Sequence, residues 1–230
     1  MASVCVELDT ITYNAARRWD QALRLLVDMA SAHVELCTIT YNAAVSACEK
    51  SGQWHQALRL LVDMASARVE LDTITYSSAV SACEKGGLWD QALKLLVEMA
   101  TAHVELNTIS YSSAVSACGN GGQWDQALRL LVDMASAHVA IDTITYNAAV
   151  SACDKAGEWD QALKLLVEMA SAHVELNTFT CSAAVSACGK GGRWDQALRL
   201  LVEMASAHVE LDTITYNAAV SACEKGGQWD

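Results

Sequence analysis

Cysteine, histidine and acidic side chains recur along this chain in fixed columns, and each column offers a chemistry. Cys48, Cys83, Cys118, Cys153, Cys188 and Cys223 stand 35 residues apart, which invites disulfide, thiolate or metal-ligand readings. His33, His103, His138, His173 and His208 share a second column with Cys5 and Arg68. Acid pairs such as Asp63 and Glu70 recur in every full unit except 108–142, and Gly-Gly segments offer backbone N–H groups to a phosphate. Columns met once per unit make rows, not clusters. Packed helices lie about 8–10 Å apart, whereas a disulfide needs Cα atoms within about 7 Å. The cysteines therefore read as small buried hydrophobes and the histidines as loop surface, and neither row converges on one metal ion. The glycines sit at helix ends and lack the Lys-Ser/Thr of a phosphate loop, and the acid pairs read as a solvated helix and loop. There is no GxSxG, Walker or HExxH motif. No catalytic residue, metal or cofactor is assigned, and the chain reads as a non-enzyme.

The elements that carry these columns follow from the same step. Trp54, Trp89, Trp124, Trp159, Trp194 and Trp229 repeat every 35 residues, as do the methionines from Met29 to Met204. One unit reads TITYNAAVSACEKSGQWHQALRLLVDMASARVELD, residues 38–72. Further full units are 73–107, 108–142, 143–177 and 178–212, with a partial one at 213–230, a shortened one at 10–37 and a partial one at 1–9. A fixed period of this length marks a repeat array. Within a unit, Tyr41, Ala44, Val45 and Cys48 make one helical stripe. Trp54, Ala57, Leu58 and Leu61 make a second, extended by Met64 and Ala65. Gly52 separates them, and Asp72 and Thr73 offer N-caps for the next unit. One such hairpin cannot bury its stripe alone but stacked neighbours can, so the expected fold is all-α, a right-handed α-solenoid of helix-turn-helix repeats.

Composition agrees. The 230 residues include no proline and one phenylalanine, and 53% are hydrophobic. This excludes collagenous, proline-rich and disordered chains. Fifteen Lys and Arg against twenty-seven Asp and Glu leave a net charge of −12, so the basic footprint of general nucleic-acid binders is absent. Nine cysteines without a signal-like leader favour a reducing compartment, and no apolar run of 18 residues exists to span a membrane. The chain starts and stops inside units, which favours a piece of a longer array over partial units acting as caps. In the shortened unit the glycine turn is missing, and the period predicts one continuous helix over residues 11–30.

The face of the first helix opposite the stripe carries Ile39, Asn42, Ala43 and Ser46 and ends at Lys50. Along the array it makes a row of Ile39, Ile74, Ile109, Ile144, Phe179 and Ile214, beside Asn42, Ser77, Ser112, Asn147, Ser182 and Asn217. Apolar wedges alternating with amides or hydroxyls can sandwich flat bases and bond their edges, one base per repeat of single-stranded RNA. Equally, isoleucine can staple the helix start while Asn and Ser are exposed filler. A protein-interaction scaffold uses the same concave architecture.

The period, and the phrase ITYNAAVSACEKGGQWDQAL assembled from Ile214 onward and Ile39–Leu58, resemble the pentatricopeptide repeat family over essentially the whole chain. The wording SACEKGG…W is similar to algal and dinoflagellate members. The W-x-x-L-G-x-x-Y signature of the 34-residue tetratricopeptide repeat is absent. The resemblance implies single-stranded RNA binding, with the fifth and last residues of each unit selecting the base. Carried over, Asn42 with Asp72 implies uridine, Ser77 with Asn107 adenine, and Ser112 with Asp142 guanine. Asn147 with Asn177 implies a pyrimidine, preferably cytosine, and Ser182 with Asp212 guanine, giving U-A-G-C/U-G from 5′ to 3′. Asn14 with Cys37 fits no usual pair. The bland reading of Asp72, Asn107, Asp142, Asn177 and Asp212 is helix N-capping, and both roles are compatible. The isoleucine row and Phe179 would stack on bases, and Lys50, Lys85, Lys155, Lys190 and Lys225 would meet phosphate, with Asn120 departing from that row. About five such contacts imply a log–log salt slope near −3.5. Most acids, among them Asp63, Glu70, Asp90 and Glu98, fall on the second helix or its loop, which the family turns away from RNA. The resemblance further implies organelle RNA processing, stability or editing, in chloroplast or mitochondrion, although no transit peptide is visible. A protein partner that raises affinity is a companion expectation.

Overall fold

The repeating unit folds as two helices because its two apolar stripes have helical spacing and glycine punctuates the join. The computed structural model describes residues 19–206 and 211–225. The described residues form twelve helices and no strand. The shortened unit contributes α1 (Trp19–Ser31), and the pair α2 (Thr38–Lys50) and α3 (Trp54–Ser66) follows. Next come α4 (Thr73–Lys85) with α5 (Trp89–Thr101), and α6 (Thr108–Asn120) with α7 (Trp124–Ser136). The chain continues with α8 (Thr143–Ala156) and α9 (Trp159–Ser171), α10 (Thr178–Lys190) and α11 (Trp194–Ser206), and α12 (Thr213–Lys225). Of the continuous helix expected over residues 11–30, the part before Trp19 lies outside the described residues, as do the partial unit 1–9, His208 and the side chain of Lys225.

The chain divides into two compact units, residues 1–114 and 115–230, with the division inside α6. In the first, α2 packs on α1, α3 and α4, and α4 packs on α3 and α5. In the second, α8 packs on α7, α9 and α10, and α10 packs on α9, α11 and α12. First helices thus lie directly against the first helices of their neighbours, with second helices behind them.

The cores repeat with the sequence. Tyr41, Ala44, Val45 and Cys48 are buried in α2, and Ala57, Leu60, Leu61 and Met64 in α3. The expected second stripe needs one correction. Leu60 belongs to it and Ala65 does not, because the face running through Ala57, Leu61 and Met64 leaves Ala65 exposed on its far edge. Cys48, Cys83, Cys118, Cys153 and Cys188 are fully buried free thiols. Burial pushes the Cys48 thiol up to about 11 and that of Cys153 to about 12, so both stay protonated and act as packing groups.

Two left-handed residues close each of the four full hairpins between residues 38 and 177. The first helix stops at a glycine with positive φ, Gly52, Gly87, Gly122, Gly157 or Gly192, where a side chain would be strained. The second helix stops at His33, Arg68, His103, His138 or His173, all at φ 55°. The geometry is that of a Schellman end: Val104 N–H donates to the Met99 carbonyl at 3.0 Å across the turn at His103. The histidine column is therefore exposed turn backbone, as its loop position implied.

Tryptophan joins one hairpin to the next. The indole of Trp54 lies over the end of α4, and a Cβ on Gly86 would stand 2.5 Å from its Cδ1. Trp159 meets Gly191 in the same way, at 2.3 Å, and Arg193 covers that ring at 4.4 Å from its centroid.

Candidate nucleic-acid interface

The side chains expected to select bases sit at the starts of the first helices, where the last residue of one unit caps the next. Asp72 has extended backbone and accepts a bond from Thr75 N–H at 2.9 Å, with a reciprocal bond from its own N–H to the Thr75 hydroxyl at 3.3 Å. This is a capping box. Asp142, Asn177 and Asp212 accept from the N–H of Thr145, Thr180 and Thr215 at 2.8, 2.9 and 2.8 Å, and Asn107 from that of Ser110 at 2.9 Å. The capping role inferred from sequence is therefore present at all five positions. Cys37, in the same column, instead places its Sγ 3.4 Å from the Thr40 hydroxyl of the same helix.

The fifth residues are brought to these caps from the preceding first helix. Asn42 donates from its amide to both carboxylate oxygens of Asp72, at 3.0 Å each, and its carbonyl lies within bonding reach of the Thr75 hydroxyl. Ser77 donates to Asn107 at 3.3 Å. In the second compact unit the link runs through threonine. The Thr180 hydroxyl reaches the side chains of both Asn147 and Asn177, and the Thr215 hydroxyl reaches both Ser182 and Asp212. A hydroxyl has one proton, so Thr180 donates to one of its two acceptors at a time, whereas Thr215 can donate to Asp212 while accepting from Ser182. Ser112 turns back on its own helix instead, bonding the Thr108 carbonyl at 2.6 Å.

These contacts revise the expected face. Asn42 is only 8% exposed, because α2 and α4 pack against each other along this edge, and Ser77 is buried as well. The threonine column, Thr75, Thr145, Thr180 and Thr215, is fully buried and ties the caps together. Sequence reasoning passed over it, although Asp-Thr-Ile-Thr carries a hydroxyl at the capping-box position. Burial alone would raise the Asp72 carboxyl. The bonds from Thr75 N–H, the Asn42 amide and the Thr75 hydroxyl outweigh burial and hold it below the usual carboxylate range. Asp212 is lowered too, chiefly by the Thr215 hydroxyl and N–H.

Ile39, Ile74, Ile109, Ile144, Phe179 and Ile214 stand beside the caps, each between 58% and 69% exposed. A helix-stapling role would bury them, so most of each side chain is left open to a ligand.

The lysines are engaged. Lys85 pairs with the Glu49 carboxylate and donates to the Glu49 carbonyl at 3.3 Å. Lys190 lies 2.9 Å from a carboxylate oxygen of Asp154 and donates to its carbonyl at 3.0 Å. Lys155 donates to the carbonyls of Gly119 and Asn120 at 2.8 and 3.1 Å. Each thus ties its helix to the C-terminus of the preceding first helix, where backbone dipoles favour a cation. Lys50 is exposed, and the Lys225 side chain lies outside the described residues. Among the described residues no three His, Cys, Asp or Glu gather as a metal site, and no helix is long and apolar enough to cross a membrane.

Comparison with known proteins agrees with this architecture. The crystal structure of the pentatricopeptide repeat protein PPR10 from maize is 28% identical, with a TM-score of 0.68 over 92% of this chain and 30% of its own. PPR10 in complex with an 18-nt psaJ RNA element is similar at 19% identity and a TM-score of 0.51, over 91% of this chain and 35% of that one. The PPR domain of Arabidopsis thaliana protein-only RNase P 1, solved in complex with tRNA, is 14% identical with a TM-score of 0.67, covering 78% of this chain and 95% of its own. This chain thus spans about a third of the PPR10 chains. No curated protein matches it. The fold is that of these helical-repeat solenoids. Residues 36–85 and 141–190 match the model described as the PPR repeat family, and residues 74–104, 109–139 and 179–209 match the PPR repeat. These matches take in well over half of the sequence, and the chain belongs to the pentatricopeptide repeat family.

Proposed function

We propose that the chain binds single-stranded RNA sequence-selectively, one base per repeat, with the implied preference U-A-G-C/U-G. The observation that carries this reading is the direct bond between the fifth and last residues of a unit, from Asn42 to Asp72 and from Ser77 to Asn107. It unites the two expected selectors in one hydrogen-bonding edge beside an exposed isoleucine. The chemistry of that edge agrees with the assigned bases. An ionised carboxylate only accepts hydrogen bonds, and uridine and guanine each present an imino N–H on the Watson–Crick edge. An asparagine amide both donates and accepts, which suits adenine and cytosine, whose ring nitrogen there is an acceptor. Asp72, Asp142 and Asp212 fall on U, G and G, and Asn107 and Asn177 on A and C/U. The isoleucines and Phe179 form the walls between bases. Lys85 directs N–H groups at the Glu49 carboxylate and carbonyl and Lys190 donates to the Asp154 carbonyl, and an ammonium has three donors, so each keeps at least one for phosphate.

The RNA-bound PPR10 and the tRNA-bound domain of protein-only RNase P 1 support RNA as the ligand class. The chain acts by occupying or presenting RNA in organelle RNA processing, stability or editing, not by catalysis. A second reading, a protein-interaction scaffold, draws on the net charge of −12 and the exposed valine of each second helix, such as Val62 and Val97. Fluorescence anisotropy separates the two. Labelled UAGCG should bind more tightly than its guanine-to-uridine swaps and than the matching DNA. Absence of binding to every RNA at micromolar protein, with the chain helical and monomeric, would favour the scaffold.

A further inference from the structure

One repeat lacks a core side chain that its neighbours possess. Tyr41, Tyr76, Tyr111 and Tyr146 occupy the fourth position of the four preceding full units, each between 5% and 7% exposed. The unit at 178–212 has Cys181 there, 3% exposed. A cavity of 340 Å³ opens beside Cys181, between α9 and α11. This lies within the range of about 300–1,000 Å³ usual for small-ligand sites. Its inner wall is apolar, built from Leu166, Leu176, Leu200 and Met204, while Gln196, Arg199 and Glu203 form a polar rim. Apolar walls with a few polar groups at the rim are the usual make-up of a site for a small aromatic ligand.

The rim identifies the missing group more closely. In the units that have tyrosine, burial raises the phenol, and the charge of a second-helix carboxylate raises it further: Asp63 for Tyr41, Glu98 for Tyr76 and Glu168 for Tyr146. Glu203 occupies that same position of its own unit and lines the cavity. The nearby carboxylate has been kept while the phenol has gone. Arg199 lies 3.8 Å from Glu203 and both side chains are largely exposed, so the carboxylate can turn towards an occupant.

We propose that this cavity is a binding site for a small phenolic ligand, its ring seated over Cys181 between α9 and α11 and its hydroxyl donating to Glu203. Binding is non-covalent. Burial raises the Cys181 thiol, which keeps it protonated and makes it part of the apolar wall. The site does not rest on the RNA reading: its lining comes from α9 and α11 together with Leu176 and Cys181, none of which is assigned to a base or a phosphate.

The test is calorimetric titration of the full chain with p-cresol, which carries the missing side chain. One saturable site is expected, with a rise in Tm and shifts confined to methyl signals around Leu200 and Met204. Toluene, which has the ring without the hydroxyl, should bind about tenfold more weakly, the loss of one bond to a charged acceptor. Glu203→Gln should weaken p-cresol and leave toluene unchanged. Cys181→Tyr should abolish binding, and Cys181→Phe serves as a second filled variant should the first not fold. Absence of saturable binding to the unmodified chain, undiminished binding to a filled variant, or equal affinity for p-cresol and toluene would each overturn the proposal.

Discussion

The amide of Asn42 lies 3.0 Å from both carboxylate oxygens of Asp72, thirty residues ahead of it in the chain. The residue that closes a unit is therefore oriented by a residue near that unit's start. Changing either partner alters how the next helix is capped and, under the proposed RNA reading, which edge is offered to a base.

Asp72→Asn converts the first pair into the Asn–Asn combination already present at Asn147 and Asn177. The preferred first base should move from uridine towards cytosine, because the new amide can donate to the cytosine ring nitrogen. Asn42→Ser should move it towards guanine, with a stability loss of about 1 kcal/mol for the buried bonds removed. Anisotropy against RNAs varied at that single base checks both. An unchanged base preference in both variants would remove the pair from the recognition site.

The same contacts make a pH prediction. The folded carboxyl of Asp72 lies below its unfolded value. A depressed carboxylate contributes stability that is present above the unfolded pKa, about 3.9, and lost as pH falls through the folded one. Asp72→Ala should therefore cost about 1 kcal/mol in urea unfolding at pH 7, the usual worth of an N-cap. The gap should narrow progressively below pH 4. A gap of the same size at pH 7 and at pH 2 would mean that the ionised carboxylate is not what the helix start needs.

Much of this was legible in the chain itself, for an identifiable reason. Helix stripes and turn glycines such as Gly52 act within one unit, and a cap such as Asp72 acts on the residues that directly follow it, so a 35-residue period exposes them directly. The burial of Asn42, the threonine node at Thr75 and the engagement of Lys85 by Glu49 arise from how one unit packs on the next. No spacing within a unit reports them. His103 hid for another reason: a left-handed residue is normally announced by glycine, and here the backbone adopts that conformation with a side chain attached.

That last point can be measured. His103→Gly should raise stability by about 0.5–1 kcal/mol, since it relieves left-handed strain worth about 1–2 kcal/mol against the larger unfolded entropy of glycine. Gly86→Ala should act in the opposite direction, costing about 1–3 kcal/mol, because the new methyl meets the Trp54 ring. The two shifts in Tm should have opposite signs. Matching signs would contradict the helix-end geometry.

Lys85 and Lys190 each have two expected employments, a bond to the preceding helix end and a bond to phosphate. Removing the side chain separates them. Lys190→Met should cost no more than about 1 kcal/mol of stability, because the ammonium is substantially exposed. If the remaining N–H also meets phosphate, the log–log salt slope for RNA binding should become shallower by about 0.7 per lysine removed. Lys85→Met with Lys190→Met should lower it by about twice that amount, while base preference stays unchanged. A slope that stays put, with the stability loss present, would leave these lysines as ties between helices. Phosphate contact would then fall to Lys50 and to the backbone at the helix starts.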